Sequence, residues 1–177
     1  MNRLSQRTAG ACLVLAILAS CGPRHTPQEC MERAMYFESN RSSRDGMIAV
    51  GSVVMNRLES GRYARDVCGV VGQKNQFAPG VMTKKMNLRT APLIPEAASA
   101  VLAGERHPLI GNAQFFHTAT YRAGYNNMHY VLTTGGNAFY EKIDPERVTQ
   151  PVPVPPTEGL TGPRLSALPP PPAPWLQ

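Results

Sequence analysis

The sequence contains no CxxC pair, no paired-histidine spacing and no apolar stretch long enough to cross a bilayer. The first two absences leave a zinc site without its usual ligand pattern. The third leaves Ala9–Ala19, too short a run for a membrane-spanning helix. That run follows Arg3 and Arg7, so residues 1–20 read as an export signal. No internal repeat is visible either, and 177 residues have room for one modest domain.

The apolar run ends in Leu18-Ala19-Ser20-Cys21, the pattern of a bacterial lipoprotein signal, in which the cysteine is acylated and becomes the new N-terminus. A plain secretory peptide that happens to contain Cys21 is the simpler alternative. Gly22 stands where an inner-membrane retention signal usually has Asp, so the expected place is the outer membrane, facing the periplasm. Residues 21–26 then form a tether whose reach is roughly 15–20 Å.

Cysteine is scarce, and the signal accounts for half of it. Cys12 leaves with the signal and Cys21 takes lipid. Cys30 and Cys68 remain in an oxidising compartment, where a disulfide between them is expected. Zinc ligation is the alternative for this pair.

Acidic residues are also few. The formal net charge of +6 falls to +4 once Arg3 and Arg7 are removed. In an exported protein that charge does not point to nucleic acid. It suits an anionic polymer such as cell wall or an acidic membrane surface, and simple solubility explains it equally well.

Proline, by contrast, is abundant at one end. Pro151–Gln177 holds ten prolines in 27 residues, which favours extended polyproline II over a packed core. Residues 146–177 are therefore expected to be a disordered tail, with docking to an unknown protein as a second use. The folded domain is expected at residues 27–145.

Within it, Thr26, Pro27 and Glu29 signal a first helix with a capping box. A second helix opens at Ser42 or Ser43 and repeats Met47, Val50, Val54 and Leu58 along one face, ending at Ser60-Gly61. A helical turn over Asp66–Val71 and a helix over Pro95–Leu102 follow. Then the period changes. Ala113–Thr118, Tyr130–Thr134 and Ala138–Lys142 read as strands, with Gly135-Gly136-Asn137 as a turn. Helices first and strands later give an α+β class: mainly helical, with a small antiparallel sheet toward the C-terminus. Gly72–Leu93 has no period, and reads either as a substrate-facing loop or as a mobile surface loop.

One carboxylate stands out. At 100° per residue, Met31, Ala34 and Met35 fall within about 60° of Glu38, with Cys30 and Phe37 at the edges. Glu29, Glu32, Arg33 and Tyr36 fall on the opposite side. Glu38 thus shares the buried face, where desolvation raises a carboxyl pKa and suits it to donate a proton. If the helix ended earlier, Glu38 would be an ordinary solvated acid.

The segments CMERAMYFES, GMIAVGSVVMNR, VCGVVGQKNQF, AVLAG, AQFFHT and GGNAFY occur in this order over Cys30–Tyr140. In this the chain resembles the cell wall hydrolase family typified by the spore cortex-lytic enzyme SleB. The resemblance implies a compact domain likened to lysozymes and lytic transglycosylases, acting on peptidoglycan glycan strands. It implies Glu38 as the catalytic acid. It also matches Asn56-Arg57, Gln76-Phe77, Phe116-His117 and Phe139-Tyr140. The chain departs from the family's usual pattern at two of these places: its second Glu is Ser42 here, and its frequent histidine in the hairpin turn is Asn137.

Hydrolysing glycosidases normally use two carboxylates. A lytic transglycosylase uses one acid, and the 6-hydroxyl of muramic acid attacks in place of water. Ser42 fits the one-acid route, while Asp45 and Asp66 are the candidates for a second carboxylate. Tyr36, Gln76, His117 and Tyr140 are the candidate substrate-binding residues, with core packing as the alternative for each. No cofactor or metal is called for. A muramidase, a metal amidase centred on His117 and His129, and a peptidoglycan-binding lipoprotein without turnover are the competing readings.

Overall fold

The computed structural model describes residues 25–41 and 43–162. The signal, Cys21, Ser42 and residues 163–177 lie outside the described residues, and so do the lipidation site and the proline-richest stretch.

Helix α1 spans Pro27–Glu38. Thr26 caps it by accepting the Glu29 N–H at 3.1 Å, and Pro27 takes the first position, where its missing N–H costs nothing. The Glu29 carboxylate, expected to complete a capping box, faces His25 at 2.6 Å and Arg33 at 3.3 Å. Helix α2, Arg44–Glu59, starts at Ser43, whose hydroxyl oxygen accepts the Gly46 N–H at 3.1 Å. Its apolar surface is wider than one face: Met47, Ile48, Ala49, Val50, Val53 and Val54 are all fully buried. Helix α1 packs against it, as do α3 (Val67–Gly72) and α4 (Ile94–Leu102). A helix enclosed this way is the centre of the core. The Cys30–Cys68 disulfide ties α1 to α3, so this pair is not a zinc site.

The sheet follows in sequence. Strands β1 (Phe115–Thr118), β2 (Met128–Thr134) and β3 (Asn137–Lys142) are antiparallel in the order β1-β3-β2. The β2–β3 turn is the two residues Gly135 and Gly136, with φ of 55° and 80°. This left-handed backbone is what a two-residue hairpin turn needs and what glycine permits. Asn137, expected inside the turn, instead opens β3 opposite Thr118 and Thr134. Leu132 and Phe139 complete the helical core, whereas Met128, Tyr130, Ala138 and Tyr140 form a second small cluster on the other face. The class is thus α+β, as the change of period implied. The turn itself is pressed onto α2: a Cβ built on Gly46 would lie 2.6 Å from the Gly135 Cα.

Two expectations change. Arg33 does not face water. It is buried on α1 and donates to the carbonyls of Val81 at 3.0 Å and Lys84 at 2.8 Å. With Phe77 and Val81 buried, this pins the long loop after α3 to the domain, and Leu88–Thr90 gives it a short 3₁₀ turn. Nor is the first half of the proline-rich segment disordered. The Gln150 carbonyl accepts the Tyr130 N–H, and the Thr157 N–H donates to Thr133, so residues 150–157 run beside β2. Beyond them the Leu160 and Thr161 N–H groups donate to the buried Asp45 carboxylate at 2.8 and 2.7 Å. Proline forbids a ladder along its own length, but the non-proline residues between still pair.

Candidate active site

Glu38 is the last residue of α1. The helix stops there because Ser39 turns extended, with its N–H and its hydroxyl both donating to the Met35 carbonyl, at 3.0 and 2.7 Å. Glu38 is half-buried. Its carboxylate accepts the Ala78 N–H from the loop after α3. Its carbonyl accepts the Asn137 side-chain amide at 2.7 Å. Three elements distant in sequence therefore fix one residue: a helix end, a loop and the first residue of β3.

Burial pushes the Glu38 pKa above the ordinary carboxylate value, while the Ala78 N–H and the Arg57 charge pull the other way and lose. A carboxyl in this state keeps its proton to higher pH, as a general acid must. Arg57 comes from α2 and is 3% exposed. Its Nε donates to the Gln114 carbonyl at 2.7 Å. The guanidinium lies 5.0 Å from the Phe77 ring centre and 5.3 Å from that of Tyr63.

The four candidate substrate residues divide. Tyr36 and Gln76 lie on the elements that hold Glu38. Tyr36 is two residues before the acid, stacks edge-on with Phe37 and carries Arg41 4.8 Å above its ring. An Asn87 backbone hydrogen bond, helped by Thr90 and Arg41, lowers its phenol pKa. Gln76 is half-buried in the turn leading to Ala78, with its N–H on the Gln73 carbonyl. Residues 72–75 and 77–83 border a cavity of about 480 Å³, which Phe77 and Ala78 line and Gln76 does not.

His117 and Tyr140 lie together instead on the second face of the sheet. His117 Nδ1–H donates to the Thr118 carbonyl at 2.9 Å, which leaves Nε2 to accept the Tyr130 hydroxyl at 2.7 Å. Tyr140 is buried and stacks on Phe115 at 5.5 Å. Burial, then the neighbouring Tyr130, raises its phenol pKa. Packing accounts for both residues.

The two aspartates that were candidates for a second carboxylate are committed elsewhere. Asp66 caps α3 by accepting the Gly69 N–H at 2.8 Å. Asp45 holds Leu160 and Thr161. Among the described residues no group of three or more His, Cys, Asp or Glu side chains is placed to hold a metal ion.

Sequence reasoning missed Ala78 and Asn137. Ala78 acts through its backbone, which no side-chain pattern reveals. Asn137 follows two glycines and looks like turn chemistry, although its amide is the contact between sheet and acid.

Comparison with solved structures finds the same fold twice. The catalytic domain of the germination-specific lytic transglycosylase SleB from Bacillus anthracis superposes with a TM-score of 0.55 at 23% identity, covering 68% of this chain and 98% of that one. The catalytic domain of the Bacillus cereus SleB protein gives 0.54 at 22% identity, covering 68% and 94%. A search of the curated proteins finds no match. The family model described as Cell Wall Hydrolase matches residues 41–140, a span that begins just after Glu38 and takes in Arg57, Ala78 and Asn137. On that match, this chain belongs to the cell wall hydrolase family.

Proposed function

We infer that this protein cleaves peptidoglycan glycan strands as a lytic transglycosylase, between muramic acid and glucosamine, with Glu38 as its single acid. The observation that carries this reading is the state of Glu38: half-buried, raised in pKa and held by the Ala78 N–H. The fold shared with a lytic transglycosylase domain supports it.

Protonated Glu38 gives its proton to the glycosidic oxygen, and the C1–O bond breaks. The 6-hydroxyl of the same muramic acid attacks C1 and forms a 1,6-anhydro ring. Its proton passes to the Glu38 carboxylate, which restores the acid. No water is consumed, so no second carboxylate is needed to activate one. The commitment of Asp45 and Asp66 to structural donors favours this route over hydrolysis. Tyr36 and Gln76, on the elements that hold the acid, are the substrate contacts this reading favours. His117 and Tyr140 would act by supporting the sheet beneath Asn137.

The substrate lies outside the cytoplasm, and Leu18-Ala19-Ser20-Cys21 supports lipid anchoring at Cys21 in the outer membrane. Palmitate labelling of the full chain, lost in Cys21→Ala, tests that part.

Purified sacculi digested with the mature protein and with Glu38→Gln, then analysed by mass spectrometry, test the chemistry. Anhydro-muropeptides made by the wild type and absent with a folded Glu38→Gln are expected. Reducing muramic ends would establish a muramidase instead, and free stem peptides an amidase.

A further inference from the structure

Arg57 is a charged side chain in an expensive position. It is 3% exposed, yet it makes no ion pair among the described residues. One terminal nitrogen, Nη1, is buried without a hydrogen-bond partner. Burying a cation without a carboxylate is strongly unfavourable. Such a residue is tolerated where its charge is used.

The surroundings fix where that charge lies. The Gln114 carbonyl holds Nε at 2.7 Å, and the rings of Phe77, Tyr63 and Phe115 lie 5.0, 5.3 and 5.9 Å from the guanidinium carbon. Phe77 immediately precedes Ala78, the residue whose N–H meets the Glu38 carboxylate. The planar ion is therefore clamped between a backbone carbonyl and aromatic faces, beside the loop that carries the acid's donor. The charged or titratable groups that act on it are Tyr63, Glu38 and Tyr140, and Glu38 is the one that becomes an anion during the proposed reaction. Conversely, Arg57 is the charged side chain that acts on Glu38.

We propose that Arg57 is a positioning residue for the Glu38 acid: its clamped, unpaired guanidinium supplies the fixed positive charge that stabilises the Glu38 carboxylate left by proton donation. This rests on the reading of Glu38 as the acid. A charge held in place before the reaction needs no reorganisation when the anion forms, and a water-poor setting strengthens its effect. A direct salt bridge would hold Glu38 ionised at rest. A cation held by its own carbonyl and ring contacts lets the acid keep its proton to higher pH than an ordinary carboxyl and still favours the product state.

The test compares pH profiles of kcat and KM on soluble glycan strands for wild type, Glu38→Gln, Arg57→Met and Arg57→Lys. Folding is checked by near-UV circular dichroism. Activity in Glu38→Gln overturns the reading of the acid itself, whatever Arg57 does. With Glu38→Gln inactive, Arg57→Met is expected to move the alkaline limb up by about one pH unit, because an opposite charge no longer favours the carboxylate. Its kcat is expected to fall about tenfold, with KM within about twofold. Arg57→Lys, which keeps a cation, is expected to bring the limb back toward the wild-type position. A folded Arg57→Met with the wild-type limb overturns the proposal even if kcat drops, since that is what a purely structural arginine would give. If Arg57→Met does not fold, Arg57→Lys decides alone. Its limb is expected within about half a unit of wild type, and a larger displacement overturns the proposal.

Discussion

The side-chain amide of Asn137 donates to the backbone carbonyl of Glu38 at 2.7 Å, across 99 residues of sequence. The contact joins the first residue of the last strand to the last residue of the first helix. It satisfies a helix-end carbonyl and fixes the backbone from which the candidate acid projects. Asn137→Ala is expected to remove about 1 kcal/mol of stability, the usual value of one such bond. Its larger effect should be on turnover: kcat several-fold lower with an unchanged KM, because the acid is displaced rather than the substrate. Urea denaturation and steady-state kinetics on the same preparation check both.

The raised pKa of Glu38 has a consequence for stability as well as for rate. An acid whose folded pKa lies above its unfolded value contributes stability that is complete below the unfolded value and lost as pH rises through the folded one. As pH rises past the unfolded value, the wild type loses this stability, whereas Glu38→Gln has no carboxylate to ionise. Glu38→Gln is expected to be inactive yet to melt higher than wild type near pH 7.5, with the gain fading toward pH 4. Paired melting curves across that range check it, and a gain of equal size at both ends would contradict the shift.

Asp45 makes the opposite case. It is 2% exposed, and burial alone would push its pKa up. The Thr161 hydroxyl and the Leu160 and Thr161 N–H groups outweigh that and hold it below the ordinary value. A depressed carboxylate contributes stability above its unfolded pKa that is lost as pH falls through the folded one. Truncation after Pro156 removes all these donors and also Glu158, which accepts from Ser43 and from the Gly135 N–H. The expected loss is about 3 kcal/mol at pH 7, because the Asp45 carboxylate loses these donors and keeps only His107, 3.8 Å away, and less near pH 3. Chemical denaturation of both lengths at the two pH values measures this. Equal stability at pH 7 would show that the segment merely lies on the surface.

The disulfide closes a loop with a sequence separation of 38 between Cys30 and Cys68. Chain-entropy reasoning gives about 4 kcal/mol for a loop of that length. Cys30→Ala with Cys68→Ala is expected to lower stability by roughly that amount or less. Glu38 lies on the helix that the bridge pins, so turnover should fall at temperatures where the double variant still folds. Melting and activity measured with and without reductant check this.

The sequence by itself determined the classes of element and their order. Local chemistry sufficed there: Thr26 and Pro27 start α1, Ser43 starts α2, and two glycines can make only a tight turn before β3. It also placed Glu38 on the buried side of α1, because helical period alone relates Glu38 to Met31, Ala34 and Met35. It misjudged Arg33 and residues 146–162, since what covers a polar side chain or a proline-rich strand comes from elsewhere in the chain. The tertiary structure alone decided what surrounds the acid. The Ala78 N–H, the Asn137 amide and the Arg57 charge reach Glu38 from a loop, a strand and a second helix. None of these contacts is local, and one acts through a backbone group that every residue but proline has, so no spacing in the sequence could announce them.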